Sequence, residues 1–459
     1  MAIFKNPSRQ ILEGAKVVAK LISLSYGGQQ NKIHLQKYAG LSHTNSATSL
    51  TNEITLANPL ENIGVRFMRD ICHKMGSKHG DGSSTSILMA HRGMAECFRL
   101  QSAPLITGSE IRDTLNMITP SGEITDLLRV VPCTHAQEII LNALQEIGEE
   151  GTILIQDGQK VEATLEFKDG MVIPFKLAHE KFQREPLEGA MVAVFNYPLC
   201  DERDITPVLE ESSQWADNPL IIFTPYIVGD ALRICLANQK HISNVCLVPA
   251  KVKPNQIESY LKDIASGANA TFVCRNHLDV KNFDPSWFGF FRKVDFSSDQ
   301  TEAIFYTEDE YVEARTARIL ELENEQKIAP TNYDVREIKK RISYLDGGVA
   351  IIGVGGHTES ERKVNRADYE AWVKMAQSAS SGVVADIRQT LTECAEATSN
   401  PVLRAMLLEP CKYLNAEKNP LGLEVLIDAI NISCSIVNEY SKVRIAVIND
   451  QKKGMYHGR

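Results

Sequence analysis

The sequence predicts a multi-domain α and α/β protein in which one domain is inserted into another. Three observations lead there. Apolar residues recur at helical spacing up to residue 149 and again from Glu361 onward. Between Gly151 and Ile352, short β-rich runs alternate with helical ones, the pattern of a sheet with packed helices. At 459 residues the chain is long enough for about three domains. Two outer segments of one character around a middle of another imply ends that pack together and an inserted centre.

Composition narrows the class. Hydrophobic residues make up 43% and charged residues 23%, which suits a soluble protein with full cores. A net charge of −9 argues against nucleic acid as the main partner. The ten cysteines are scattered, without a CxxC pair or a Cys/His cluster at zinc spacing. They read as small buried apolar residues in a reducing compartment. Met1–Pro7 has no apolar run fit for a signal peptide, and no uncharged stretch is long enough to span a membrane. The expectation is a cytoplasmic protein with neither a membrane nor a nucleic-acid partner.

Taken in order, residues 8–24 read as a helix with Leu12, Ala15, Val18, Ala19 and Ile22 on its apolar face. Tyr26-Gly27-Gly28 breaks it. Residues 31–55 alternate loosely and suggest a short hairpin. Ile63, Phe67, Met68, Ile71 and Met75 then mark a core helix, and Ile87, Ala90, Met94, Cys97 and Phe98 a second. Helices are expected over 109–130 and 136–149, with Gly151 closing the latter. In the middle, strands are expected at 152–155, 164–167, 191–195, 220–223, 245–248 and 271–273, with helices at 206–215, 229–238 and 256–267. Charged helices follow over 310–328 and 333–344. Glu321, Glu323 and Glu325 form the solvated face of the first. A strand at 349–352 precedes a helical C-terminal part broken near Gly382, Pro401 and Pro420.

Between the two core helices lies Gly80-Asp81-Gly82-Ser83-Ser84-Thr85. Glycines here let a backbone approach a ligand, and the N-terminus of the second helix offers free N–H groups to an anion. Asp81 suits Mg²⁺ held against a phosphate, with the hydroxyls as further oxygen ligands. The same hexapeptide also reads as a glycine-rich connector with an N-capping Asp or Ser.

The stretch gains meaning from its neighbours. Asn62-Ile63-Gly64 followed by Gly80–Thr85 resembles the ENMG and GDGTTT motifs of the group I chaperonins, the GroEL type. Residues 151–158 resemble that family's GVITVEDG, and residues 333–355 its DYDREKL…LAGGVAVIKVG. Leu403-Arg404-Ala405-Met406 matches its LRAM. The resemblance spans essentially the whole chain. It implies the chaperonin fold: a helical equatorial domain from 1–127 and 382–459, a small intermediate domain from 128–169 and 349–381, and an inserted apical α/β domain from 170–348. Pro132, Gly170, Gly348 and Gly382 fall on hinge positions, or serve as simple turns and caps.

The resemblance also implies ATP and Mg²⁺ as cofactors. Asp81 falls on the metal ligand, and Gly80, Gly82, Ser83, Ser84 and Thr85 on the phosphate-binding stretch. Gly27 falls on the glycine of the TLGP loop, whose Leu and Pro are absent here. Asn415 and Ala416 resemble the adenine-contacting NAA, and Asp428 the aspartate that holds the ribose. Three departures bear on hydrolysis. The family's KDG becomes Asn45-Ser46-Ala47-Thr48, without a carboxylate. Its water-positioning Asp becomes Glu370, with Asp368 as the nearby alternative. Its VVAGGG becomes Val383-Val384-Ala385-Asp386-Ile387-Arg388. Displacing a catalytic group by about 1 Å can slow turnover 10²-fold.

For the apical domain the resemblance implies a polypeptide-binding groove from Leu177, Phe182, Leu209, Leu232, Leu236 and Ala237. Any one of these leucines also reads as ordinary core. The implied partners are non-native polypeptides, other copies of the chain in a homo-oligomeric ring of seven subunits, and a GroES-type co-chaperonin. Two functions stand side by side: a chaperonin cycling on ATP, and a chaperonin-like binding or assembly protein without efficient turnover. A metabolic α/β enzyme would need a catalytic constellation, and the scattered histidines join no Ser/His/Asp or Cys/His motif.

Overall fold

The structure, a computed structural model, describes residues 2–27, 33–37, 40–44, 47–101, 104–148, 151–158, 160–168, 170–182, 186–214, 218–239, 244–249, 252–274, 283–296, 303–307, 312–330, 332–346, 348–414 and 418–448. The chain divides into two compact units, Met1–Leu141 with Ala367–Arg459, and Asn142–Arg366.

The first unit is helical. Its core joins the helices Ser8–Ser23, Pro59–His79, Ser83–Leu100, Pro401–Cys411 and Leu423–Lys442 through residues such as Ile11, Met68, Ile87, Met406 and Ala429, all with 1% exposure or less. Pro59–His79 starts cleanly because Asn58 accepts a hydrogen bond from the Leu60 amide (3.0 Å) and Pro59 occupies the first helical position. Asn62 pairs with the Leu56 backbone in both directions, which fixes the chain entering this helix. Gly64 lets the helix cross Ser8–Ser23 at backbone contact: a Cβ there would lie 1.9 Å from the Ile11 carbonyl oxygen. The Asn-Ile-Gly motif is thus explained by packing.

The second unit is α/β. Among the described residues, an eight-stranded sheet runs in the order 171–173, 303–306, 289–296, 187–195, 220–223, 244–249 and 175–177, with 272–273 paired beside 187–195. The strands 187–195, 220–223 and 244–249 are parallel neighbours, joined by the helices Glu202–Ser213 and Gly229–Asn238. A separate three-stranded sheet places 349–354 between 152–157 and 164–168.

Several expectations change. Residues 109–130 form two helices, Gly108–Asn116 and Ile124–Leu128, because Pro120-Ser121-Gly122 turns away to bond the Val383 carbonyl (2.9 Å). Ala2–Lys5 and Ile445–Ile448 pair as antiparallel strands, which no local pattern announced. Met171–Ile173 and Phe175–Leu177 were also missed: three residues are too few to display a period of two. The charged helix Val312–Lys327 keeps Glu321, Glu323 and Glu325 exposed as expected, but it also carries a buried charge. Its Arg318 is buried and bonds Asp263 (3.0 Å) and Glu321 (2.6 Å). Arg341 reaches the same Asp263 at 2.7 and 2.8 Å.

Asp263, 2% exposed, therefore neutralises two buried guanidinium groups and holds three helices together. Replacing Asp263 with Ala leaves both charges uncompensated. We expect a loss on the order of 3–5 kcal/mol, read as a lowered thermal midpoint, with Arg318→Met/Arg341→Met/Asp263→Leu together recovering most of it.

Candidate functional site

Gly80 and Gly82 both adopt left-handed backbone, with φ of +70° and +79°. Gly80 ends the helix Pro59–His79 and Gly82 precedes Ser83–Leu100, so Asp81 is the one side chain at the turn between them. Neither glycine has room for a side chain. A Cβ on Gly80 would sit 2.4 Å from the Ala371 carbonyl oxygen, and one on Gly82 2.4 Å from Val425 Cγ1. The turn is thus packed by the end of helix Glu359–Gln377 on one side and by the start of Leu423–Lys442 on the other.

Asp81 is half-buried. One carboxylate oxygen accepts the Gly82 amide at 2.6 Å. Burial pushes its pKa up, opposed by that hydrogen bond and by His79. Among the described residues no side chain caps the start of Ser83–Leu100. The first-turn amides of a helix have no intrahelical acceptor and favour an anion. Thr85 is buried and pairs its hydroxyl with Tyr26 at 2.8 Å. Burial drives the Tyr26 phenol well above its ordinary pKa. Gly27 next to it is also left-handed (φ +77°), and a Cβ there would overlap the Tyr413 carbonyl. The chain that follows, with Asn415 and Ala416, lies outside the described residues.

Asp428 arrives from the helix Leu423–Lys442. It accepts from His79 Nε2 at 2.7 Å and from Lys78 Nζ at 2.5 Å. The His79 hydrogen bond, helped by Lys78, lowers its pKa to about 2. The other ring nitrogen of His79 faces Ser378 Oγ at 3.2 Å. Ser378, His79 and Asp428 thus form a hydrogen-bonded chain that the sequence did not display, because His79 lies about 300 residues or more from both partners. The Ser378 hydroxyl also lies 2.8 Å from the Lys374 carbonyl, a second acceptor for its proton beside the ring nitrogen.

Glu370 and Asp368 are half-buried on the helix whose Ala371 and Lys374 cover Gly80. At about 100° per residue, Glu370 lies roughly 70° and Asp368 roughly 90° from the centre of that covering stripe, on opposite sides. Ala47 and Thr48, in the place of the missing carboxylate, belong to a short helix, Ala47–Glu53. Asp386 caps the helix Ile387–Ala397 by accepting the Arg388 amide at 3.1 Å. The sequence Ala385-Asp386-Ile387-Arg388 therefore encodes a helix start where a glycine loop was the reference.

In the second unit, Leu177, Leu232 and Leu236 are half-exposed and Ala237 is exposed. Phe182 (1%) and Leu209 (5%) are core residues in this conformation, packed with Phe175, Ile205 and Phe223, and do not reach the surface. Tyr226 and Val228, exposed by 52% and 45% just before the helix Gly229–Asn238, escaped the sequence reading. They lie in an irregular segment without periodicity.

No protein-family model matches the chain. Curated relatives do, and two of them illustrate the likeness. Chaperonin GroEL of Aster yellows witches'-broom phytoplasma (strain AYWB) is 25% identical, over 85% of this chain and 76% of its own length. Chaperonin GroEL 1 of Prochlorococcus marinus (strain MIT 9515) is 24% identical, over 93% and 78%. Among solved structures, the chaperonin gp146 from the bacteriophage EL 2 (Pseudomonas aeruginosa), in the presence of ATP-BeFx, superposes with a TM-score of 0.73 at 14% identity, covering 98% of this chain and 100% of that one. The chain is a divergent GroEL-like chaperonin. As a chaperonin it has the multi-domain α and α/β fold that the motifs implied.

The Asp428 contacts give a pH prediction. A carboxyl held near 2, against about 3.9 when unfolded, contributes stability above pH ~4 that is lost as pH falls through 2. With a quarter of the side chain exposed, the contribution is roughly 1–2 kcal/mol after solvent screening. The difference in thermal midpoint between wild type and Asp428→Asn should be constant from pH 5 to 8 and shrink below pH 4. A constant difference down to pH 2 would contradict the assignment.

Proposed function

We propose that this chaperonin binds non-native polypeptide under the control of ATP. In this reading 1–127 with 382–459 is the nucleotide-binding, ring-forming domain. Residues 170–348 bind polypeptide, and 128–169 with 349–381 hinge between them. The observation that carries the reading is the convergence at the Gly80–Asp81–Gly82 turn. A carboxylate disfavoured by burial and an uncapped helix N-terminus adjoin there, and the Asp428 carboxylate comes beside them from a distant part of the chain. The separate three-stranded sheet supports a distinct hinge segment.

The triphosphate belongs at the first-turn amides of 83–85, the ribose at Asp428 and the adenine at Asn415 and Ala416. Mg²⁺ fits Asp81: a carboxylate whose charge is opposed by burial is relieved by a divalent ion. One carboxylate with substrate phosphates and waters is a usual Mg²⁺ environment. Bound there, the ion neutralises phosphate charge, the main requirement of phosphoryl transfer besides positioned water. Glu370 is the favoured water-positioning residue and Asp368 the alternate.

Leu177, Leu232, Leu236 and Ala237, joined by Tyr226 and Val228, supply the apolar face for polypeptide. Their rim carries Asp230 and Arg233, paired at 3.0 Å. A homo-heptameric ring and a GroES-type co-chaperonin complete the proposal, by kinship with GroEL. Cytoplasmic residence is in keeping with the free cysteines. Among the described residues no helix is long and apolar enough to cross a membrane.

The test is phosphate release from Mg-ATP by the full-length protein. Wild type should turn over. Asp81→Asn should abolish turnover while leaving the nucleotide-free thermal midpoint unchanged or raised, since Asn keeps the acceptor for Gly82 and removes a charge that burial opposes. Glu370→Gln should lower the rate at least tenfold and Asp368→Asn much less. Equal rates in wild type and Asp81→Asn would overturn the reading.

A further inference from the structure

We propose that His79 is a positioning residue of the nucleotide site, one that fixes the Asp428 carboxylate for the ribose and ties it to Ser378 at the foot of the helix Glu359–Gln377. The inference rests on the nucleotide-binding reading above and goes beyond it, because nothing in the motif assigns a role to the residue two places before Asp81.

Three observations carry it. First, His79 is buried, 2% exposed, and both ring nitrogens are engaged: Nε2 with Asp428 Oδ2 at 2.7 Å, Nδ1 with Ser378 Oγ at 3.2 Å. A carboxylate only accepts, so Nε2–H donates to Asp428 and orients it. Second, the other cation on Asp428 cannot supply the same constraint. Lys78 is 58% exposed on a flexible stem, and such surface pairs contribute little fixed geometry. Third, the imidazole itself is held. The following Gly80 is clamped against the Ala371 carbonyl, and Ser378, one turn beyond Lys374, is anchored by its own bond to the Lys374 carbonyl. The ring therefore links two helices: the one carrying Asp428, and the one carrying Glu370 and Asp368. An acceptor for ribose hydroxyls is effective only if its lone pairs are pre-aimed, and a buried, doubly bonded imidazole does that.

The experiment measures equilibrium affinity of the full-length protein for Mg-ATP and for Mg-2′,3′-dideoxy-ATP, in wild type, His79→Phe, His79→Gln and Ser378→Ala. Thermal midpoints serve as folding controls. Phe fills the space without either hydrogen bond. Gln restores a donor toward Asp428. The expected result is at least a tenfold loss of ATP affinity in His79→Phe, with less than a twofold change for the dideoxy nucleotide. His79→Gln should recover most of the ATP affinity, and Ser378→Ala should show a smaller loss in the same direction. A side chain that merely fills the core would weaken both nucleotides equally. That outcome, or unchanged ATP affinity in His79→Phe, overturns the inference while the nucleotide site stands. If His79→Phe does not fold, the same ATP-against-dideoxy comparison in Ser378→Ala decides: a loss confined to ATP supports the inference, and an equal loss or none overturns it. Wild type that binds neither nucleotide overturns the site and the inference together.

Discussion

The constraint on which the rest depends is the backbone of one turn. Gly80 and Gly82 must both be left-handed, and neither has space for a Cβ. A left-handed residue with a side chain is strained by about 1 kcal/mol or more, and here that side chain would also meet backbone or packed methyl groups. Two adjacent helices can therefore end and begin around Asp81 alone. Because Ala371 closes over Gly80 and Val425 over Gly82, the same turn sets where the helices Glu359–Gln377 and Leu423–Lys442 rest. The carboxylates that those helices carry are positioned as a consequence.

The two carboxylates at the turn have their pKa values pushed in opposite directions. Burial raises the pKa of Asp81, whereas donors from His79 and Lys78 lower that of Asp428. Such separation is a frequent mark of functional sites. In the proposed reading it divides the work: Asp81 gains from a metal ion, and Asp428 is kept ionised as an acceptor. The second unit handles charge differently. Its buried Asp263–Arg318–Arg341 cluster is paired internally and joins helices.

The sequence disclosed the order of elements where periodicity was long. The helices Ser8–Ser23 and Gly229–Asn238 fall where the apolar pattern placed them, the second to the residue. It failed where the decisive contact is distant. The pairing of Ala2–Lys5 with Ile445–Ile448 has no local signature, and neither does the approach of Ser378 to His79. His79 was visible as the neighbour of the Gly-Asp-Gly motif, but its partners come from the other end of the chain. Phe182 and Leu209 show the converse error. The family resemblance implied a binding face for them, and packing in the core of the second unit buries them. Tyr226 and Val228, in contrast, are exposed.

In the proposed reading, nucleotide at this turn governs the hold on polypeptide. The direct measurement is suppression of aggregation of a chemically denatured protein by the full-length chain, with and without Mg-ATP. Suppression is expected without nucleotide, relieved by ATP in wild type and insensitive to ATP in Asp81→Asn. No suppression in wild type, or suppression that ATP leaves unchanged there, would contradict it.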